Sequence, residues 1–220
     1  MPVQIPVRQT DAAVHEWFST DPGRAILASE EDTVAQALCD RPGQPWLWCG
    51  PVPRAARGPG RGLYLAAGGG SRWQGQVSCG LPLPLPSESF GAVVLQHVAR
   101  PEGPCGAELL DEAARLLVNG GRLWLFVLNP LAPYRWRWRG SGISASEPLS
   151  WRRRLRQAGL VPDPVSQGLG PNWAVQVSPL PQQGPGLRAA YALRAEKRAI
   201  PLTPVRPRRV LPLVRGVPVA

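Results

Sequence analysis

A chain of 220 residues, 44% of them hydrophobic, can bury one sizeable core and fits a single α/β domain. Its 27 prolines and 24 glycines stop short of a low-complexity composition and predict long irregular loops around that core rather than general disorder. The net charge of +10 is concentrated: residues 135–156 hold seven arginines against Glu147, residues 187–220 hold eight basic residues against Glu196, and the remainder is slightly acidic. A basic edge of this kind suits an acidic partner such as RNA or an anionic surface. The abundance of Arg, Ala, Gly and Pro, with Lys197 the only lysine, is equally what a GC-rich coding sequence produces. Cys39, Cys49, Cys79 and Cys105 have wide, irregular spacings without a CxxC pair, which argues against a zinc site and for reduced thiols in a cytoplasmic protein. The first eight residues are too short and mixed for a signal peptide, and no run of eighteen apolar residues occurs.

In chain order, residues 1–10 read as an extended arm. Asp11 is placed to cap a helix through Ser19, with Ala12, Trp17 and Phe18 in need of a surface to cover. After the Asp21-Pro22-Gly23 turn, residues 23–38 read as a second helix with Ile26, Leu27, Val34 and Leu38 inward and Glu30, Glu31 and Asp32 outward. The first strand is 45–50 (PWLWCG), followed by a Gly/Pro/Arg loop over 54–62. Residues 62–67 (GLYLAA) and, more weakly, 74–79 give the next two strands.

Residues 83–130 organise the rest. GAVVL at 91–95 is a short apolar run suited to a strand buried on both faces. Residues 107–118 place Leu109, Leu110, Ala113, Leu116 and Leu117 at helical spacing, and Asn119-Gly120-Gly121 tolerates the positive φ that ends a helix. RLWLFVL at 122–128 is a second buried strand, completing a right-handed parallel crossover. Beyond it, residues 134–139 alternate Tyr134, Trp136 and Trp138 with Arg135, Arg137 and Arg139. As a strand this segment shows aromatics on one face and arginines on the other, either to grip single-stranded RNA or to seal the core. Residues 150–159 read as a helix capped by Ser150 and closed by Gly159, with strands at 160–165 and 190–194. The proline-punctuated stretch 199–220 reads as an extended interaction tail.

LPLPSESFGAVVLQHV, a helix of the form LLDEAARLL, and NGGRLWLFVLNP together resemble the second half of a class I S-adenosylmethionine-dependent methyltransferase, most nearly the type-11 methyltransferase domain. Phe90-Gly91 stands for the family's Phe-Asp and Asn119-Gly120-Gly121 for its Pro-Gly-Gly. The resemblance implies a doubly wound, mostly parallel seven-stranded α/β sheet over residues 45–198, an N-terminal helical lid over 1–44, and a tail over 199–220. It implies S-adenosylmethionine as cofactor, lined by Trp48, Cys49, Gly50, Cys79 and Gln96, with His97 and Asn129 on the acceptor side. An imidazole at that place suits a general base.

The sequence departs from the family where the cofactor would bind. Trp48-Cys49-Gly50-Pro51-Val52-Pro53 keeps one glycine of the usual glycine-rich loop, and its prolines fix φ and remove donors. No carboxylate ends the second strand, and Cys79 stands where an aspartate commonly meets the adenine. Two functions follow: a methyltransferase of unknown acceptor, or a catalytically inactive methyltransferase-fold module that binds RNA or a protein partner, with Arg135, Arg137 and Arg139 as the contact for RNA or another anionic partner.

Overall fold

The computed structural model describes residues 7–55, 58–68, 72–100 and 104–198, with side chains from 13 to 100 and from 107 within those ranges. The tail at 199–220 and the first six residues lie outside the described residues. Helices α1 (Val7–Phe18) and α2 (Asp21–Leu38) precede a sheet built from β1 (Trp46–Gly50), β2 (Gly62–Ala67), β3 (Arg72–Gly75), β4 (Cys79–Gly80) and β5 (Phe90–Gln96). Helix α3 (Pro104–Leu116) leads into β6 (Leu117–Leu128), followed by a 3₁₀ turn (Pro133–Arg137) and α4 (Pro148–Gln157). Strands β7 (Leu160–Pro162), β8 (Gln167–Leu169), β9 (Gln182–Gln183) and β10 (Ala190–Lys197) complete the described elements.

The strand order is β4-β3-β2-β1-β5-β6-β10-β8-β9, with β7 also pairing on β10. Only β2, β1, β5 and β6 run parallel, while β3, β4 and β7 to β10 pair antiparallel. The sheet is therefore mixed, which corrects the expected seven-stranded, mostly parallel one. The departures are concentrated at the edges. After β2 the chain has no room for a crossover helix before Arg72 and turns straight back as the β3 hairpin.

Alternate residues of each central strand feed two faces. Leu47, Leu65, Val93, Leu95, Leu123 and Leu125 pack under α3 and α4 through Leu109, Leu110, Ala113, Trp151 and Leu155. Trp46, Trp48, Tyr64, Val94, Trp124 and Phe126 pack under α2 through Val34, Ala37 and Leu38. Thr20 caps α2 through its hydroxyl, and Pro22 sits in the first turn, where its missing N–H costs no hydrogen bond. A third cluster lies across the carboxyl ends of the parallel strands: Trp17 and Phe18 of α1, Ile26 and Leu27 of α2, Leu128, Tyr134 and Trp138.

Several local expectations change, among them the capping of α4 by Ser150, since that helix already starts at Pro148. Helix α1 already runs from Val7, so residues 7–10 are not an extended arm. The α3 helix stops at Leu116, and Asn119-Gly120-Gly121 lies inside β6, where Gly120 takes a φ of 75° and the register against β5 shifts. The Tyr134–Arg139 alternation is not a strand. Pro133 starts a 3₁₀ turn, which buries Tyr134 and Trp138 and leaves Trp136 outside.

Candidate functional site at the carboxyl ends of β1 and β5

In an open sheet with parallel central strands, ligands bind beyond the carboxyl ends of those strands. Here β1 ends at Gly50 and β5 at Gln96, with α1 and the first turns of α2 laid across them. Glu30 projects from α2 into this layer and is 0% exposed. It was expected to face solvent. Instead it shares the i, i+4 row of Ile26 and Val34 and points inward.

Glu30 organises a buried polar chain. The Trp48 indole donates to Gln96 Oε1 at 3.2 Å, which fixes the Gln96 amide, and Gln96 Nε2 then donates to Glu30 Oε2 at 2.8 Å. His97 Nε2 lies 2.9 and 3.1 Å from the two Glu30 oxygens. A carboxylate only accepts, so the proton of this contact sits on His97 Nε2. His97 Nδ1 is buried and has no hydrogen-bond partner among the described residues. The ring stacks on Phe18 with centroids 4.6 Å apart, and the His97 backbone adopts a φ of 53°. A left-handed non-glycine residue costs about 1–3 kcal/mol and persists only where its surroundings hold it.

The predicted site residues separate into groups. Trp48, Gln96 and His97 come together around Glu30. Gly50 ends β1 beside them, but it is no open cradle: a Cβ there would meet the Tyr64 hydroxyl, which donates to the Val52 carbonyl and braces the Pro51–Pro53 turn. Cys49 and Cys79 pack on the opposite face of the sheet, and burial pushes both thiols upward, away from thiolate chemistry. Asn129 stands apart. It is buried, its amide donates to the carbonyls of Gly186 and Arg188 at 3.0 and 2.9 Å, and its oxygen accepts from Leu131 N at 3.1 Å. That side chain clamps the exit of β6, with both of its donors spent on backbone carbonyls.

Above the buried chain lies a groove between α2 and residues 51–55. Two depressions, of about 450 and 420 Å³, share Glu31 and Arg54, one reaching Trp48 and Ala35 and the other Phe18 and Leu27. The Glu31–Arg54 ion pair at 3.0 Å separates them, and Arg54 also lies over the Trp48 ring at 5.1 Å. The α1 helix is latched to the same loop, because His15 Nδ1 is 3.1 Å from the Pro51 carbonyl. Neither Glu30, Glu31 nor Arg54 was identified from the sequence as part of a site.

Arg135, Arg137 and Arg139 do not enter this groove's lining. They surround the 3₁₀ turn after β6, where Trp136 is exposed between Arg135 and Arg139.

No protein-family model matches the chain, and no curated protein matches it in sequence. Solved structures are. A S-adenosylmethionine-dependent methyltransferase of Thermotoga maritima, described as a possible histamine N-methyltransferase, superposes with a TM-score of 0.53 at 15% identity, covering 84% of this chain and 98% of that one. A chain from a complex between the Haloferax volcanii Trm112 methyltransferase activator and a putative methyltransferase does so with a TM-score of 0.51 at 16% identity, covering 85% and 98%. The chain therefore has the class I methyltransferase fold.

Proposed function

We propose that this protein is an S-adenosylmethionine-dependent methyltransferase in which His97 is the general base. The observation that carries the reading is the Glu30–His97 pair at the end of β5. Glu30 holds the Nε2–H tautomer, which leaves Nδ1 as the basic nitrogen, and nothing within the described residues occupies it. A base oriented by a buried carboxylate is a recurring catalytic arrangement. Maintaining it on a left-handed backbone, with a charge buried beneath, is costly for a purely structural role.

The residues present fit the cofactor through a donor set of their own. Glu31 and Arg54 supply one carboxylate and one guanidinium in the groove, complementary to the ammonium and carboxylate of an amino-acid end. Their mutual ion pair is partly exposed, so opening it costs little. The glycine loop of the family plays no part, because Tyr64 fills the space beside Gly50. When bound, the cofactor supplies an electrophilic methyl group on a sulfonium. The protein's own residues then provide position and a proton acceptor: α1 excludes water through Phe18, and His97 Nδ1 takes the acceptor's proton. Releasing the His15 latch on Pro51 lets α1 act as a lid over His97.

A second reading has a specific observation behind it. Among the described residues no helix stands between β1 and β2, and Pro51 and Pro53 remove donors where the fold usually presents them, which favours a non-catalytic binding module. Formation of S-adenosylhomocysteine, assayed against pools of small amines, RNA and peptides, separates the two. The methyltransferase reading expects turnover that falls by about 10²–10⁴-fold in His97→Ala while cofactor affinity is kept. Cofactor binding without turnover against any pool would favour the binding module.

A further inference from the structure

We propose that the surface around the 3₁₀ turn, formed by Arg135, Trp136, Arg137, Arg139 and Trp173, binds single-stranded nucleic acid. This goes beyond the catalytic reading and does not depend on it. Trp136 is 60% exposed and Trp173 is 67% exposed. Large aromatic side chains in such positions expose π-surface to solvent, and an incoming base stacks on the Trp136 ring by displacing one of the guanidiniums that lie over it. Guanidinium groups of Arg135 and Arg139 lie 5.7 and 4.9 Å from the Trp136 ring centroid. Arg137 donates to the Trp173 carbonyl at 3.3 Å, tying the second exposed indole to the same basic stretch.

The charge on this surface is not neutralised by the protein. Arg24, Arg54, Arg115, Arg122, Arg194 and Arg198 each face a carboxylate within 3.4 Å. Arg135, Arg137 and Arg139 instead have only backbone carbonyls or aromatic rings as partners among the described residues. Three uncompensated guanidiniums interleaved with exposed indoles form the pairing that single-stranded nucleic acids need: cations for successive phosphates and flat faces for unstacked bases. An open depression of about 460 Å³, lined by Arg135, Trp136, Trp138, Arg139, Gly140 and Ile143, gives a flipped base a place beside the Trp136 ring.

The surface is also firmly mounted. Tyr134 and Trp138 on either side of Trp136 are buried, and Trp138 meets Trp17 edge-on with ring centroids 5.9 Å apart. The Trp17 indole donates to the Arg137 carbonyl at 3.1 Å, so the turn is fixed to α1. A rigid, preformed stacking platform loses little entropy on binding.

The test uses the full chain with fluorescein-labelled oligouridylate, its deoxy counterpart, and phosphatidylglycerol vesicles as separate arms. Binding to either oligonucleotide is expected, with affinity falling as salt rises. Trp136→Ala, a change at an exposed position, is expected to lose about tenfold or more in affinity. The Arg135→Gln/Arg139→Gln pair is expected to lower the slope of log K against log salt by about 1.4. The Arg153→Gln/Arg156→Gln pair, on the exposed face of α4, serves as the charge-matched control and is expected to leave both quantities alone. Absence of oligonucleotide binding overturns the proposal, as does binding to vesicles only. An equal loss in the Arg153/Arg156 control also overturns it, by showing that total charge rather than this surface is responsible.

Discussion

Replacing Glu30 by alanine removes the acceptor on which two buried donors depend. Gln96 Nε2 reaches it at 2.8 Å and His97 Nε2 at 2.9 Å, and Glu30 is 0% exposed, so water does not replace it without opening the α1–α2 layer. A hydrogen bond to a charged group contributes about 1.5–3 kcal/mol, so two of them predict a loss of about 3–6 kcal/mol. Breaking a buried charged pair by deleting one partner independently suggests about 3–5 kcal/mol. For a chain of this size the melting temperature is expected to fall by roughly 2–4 °C for each kcal/mol. Glu30→Gln retains the shape and one acceptor oxygen and is expected to lose less than the alanine variant. Urea unfolding followed by tryptophan fluorescence measures both variants, with an unchanged m-value as the check on two-state behaviour. A Glu30→Ala loss below about 1 kcal/mol would refute the reasoning, because the polar chain would then be neither dry nor mutually dependent.

Two further predictions concern groups outside the groove. The Arg115 hydrogen bond, reinforced by the Leu83 N–H, holds the Glu112 carboxyl below the usual carboxylate range. A lowered folded value means that the unfolded chain binds the proton first. The resulting stability is therefore complete above the ordinary value of 4.5 and is lost as pH falls below it. Unfolding measured between neutral pH and acid is expected to show a smaller acid-induced loss in Glu112→Gln than in the wild type. Asn129→Ala deletes two donated bonds and one accepted bond at the exit of β6, with an expected loss of about 2–3 kcal/mol and unchanged cofactor affinity. A substantial affinity change in that variant would return Asn129 to the cleft.

The central crossover was legible because its signals agree. GAVVL is apolar at every position and sits within β5, while the α3 leucines fall on one helical face and pack under the sheet. The end of α3 was not legible: Leu116 and Leu117 are equally apolar, and pairing of Leu117 with Phe90 pulls the second leucine into β6. Period-two alternation over residues 134–139 suggested a strand, yet Trp136 is exposed while Tyr134 and Trp138 are buried, a separation that one strand face would not give and that the turn started by Pro133 does. The antiparallel β3 hairpin had a local signature in the short Gly68-Gly69-Gly70-Ser71 joint, but the expectation of a parallel sheet displaced it.

The candidate site was half visible. His97 was identified from its place at the end of β5, and Trp48 and Gln96 from theirs beside the position that the family resemblance implied for a cofactor. Glu30 carried a readable signal in its spacing from Ile26 and Val34, but an acidic run suggests a solvated face, and that inference displaced the geometric one. Its pairing with His97, across 67 residues of sequence, is a product of the fold alone.

Calorimetric titration of the purified chain with S-adenosylmethionine, with S-adenosylhomocysteine alongside, is the most direct test of the cofactor site on which the catalytic account rests. Saturable binding is predicted for both ligands, weakened at least tenfold in Arg54→Glu, which reverses the charge in the groove and leaves the buried Glu30–His97 chain in place. No binding up to millimolar cofactor, or binding untouched by the Arg54 reversal, would contradict it.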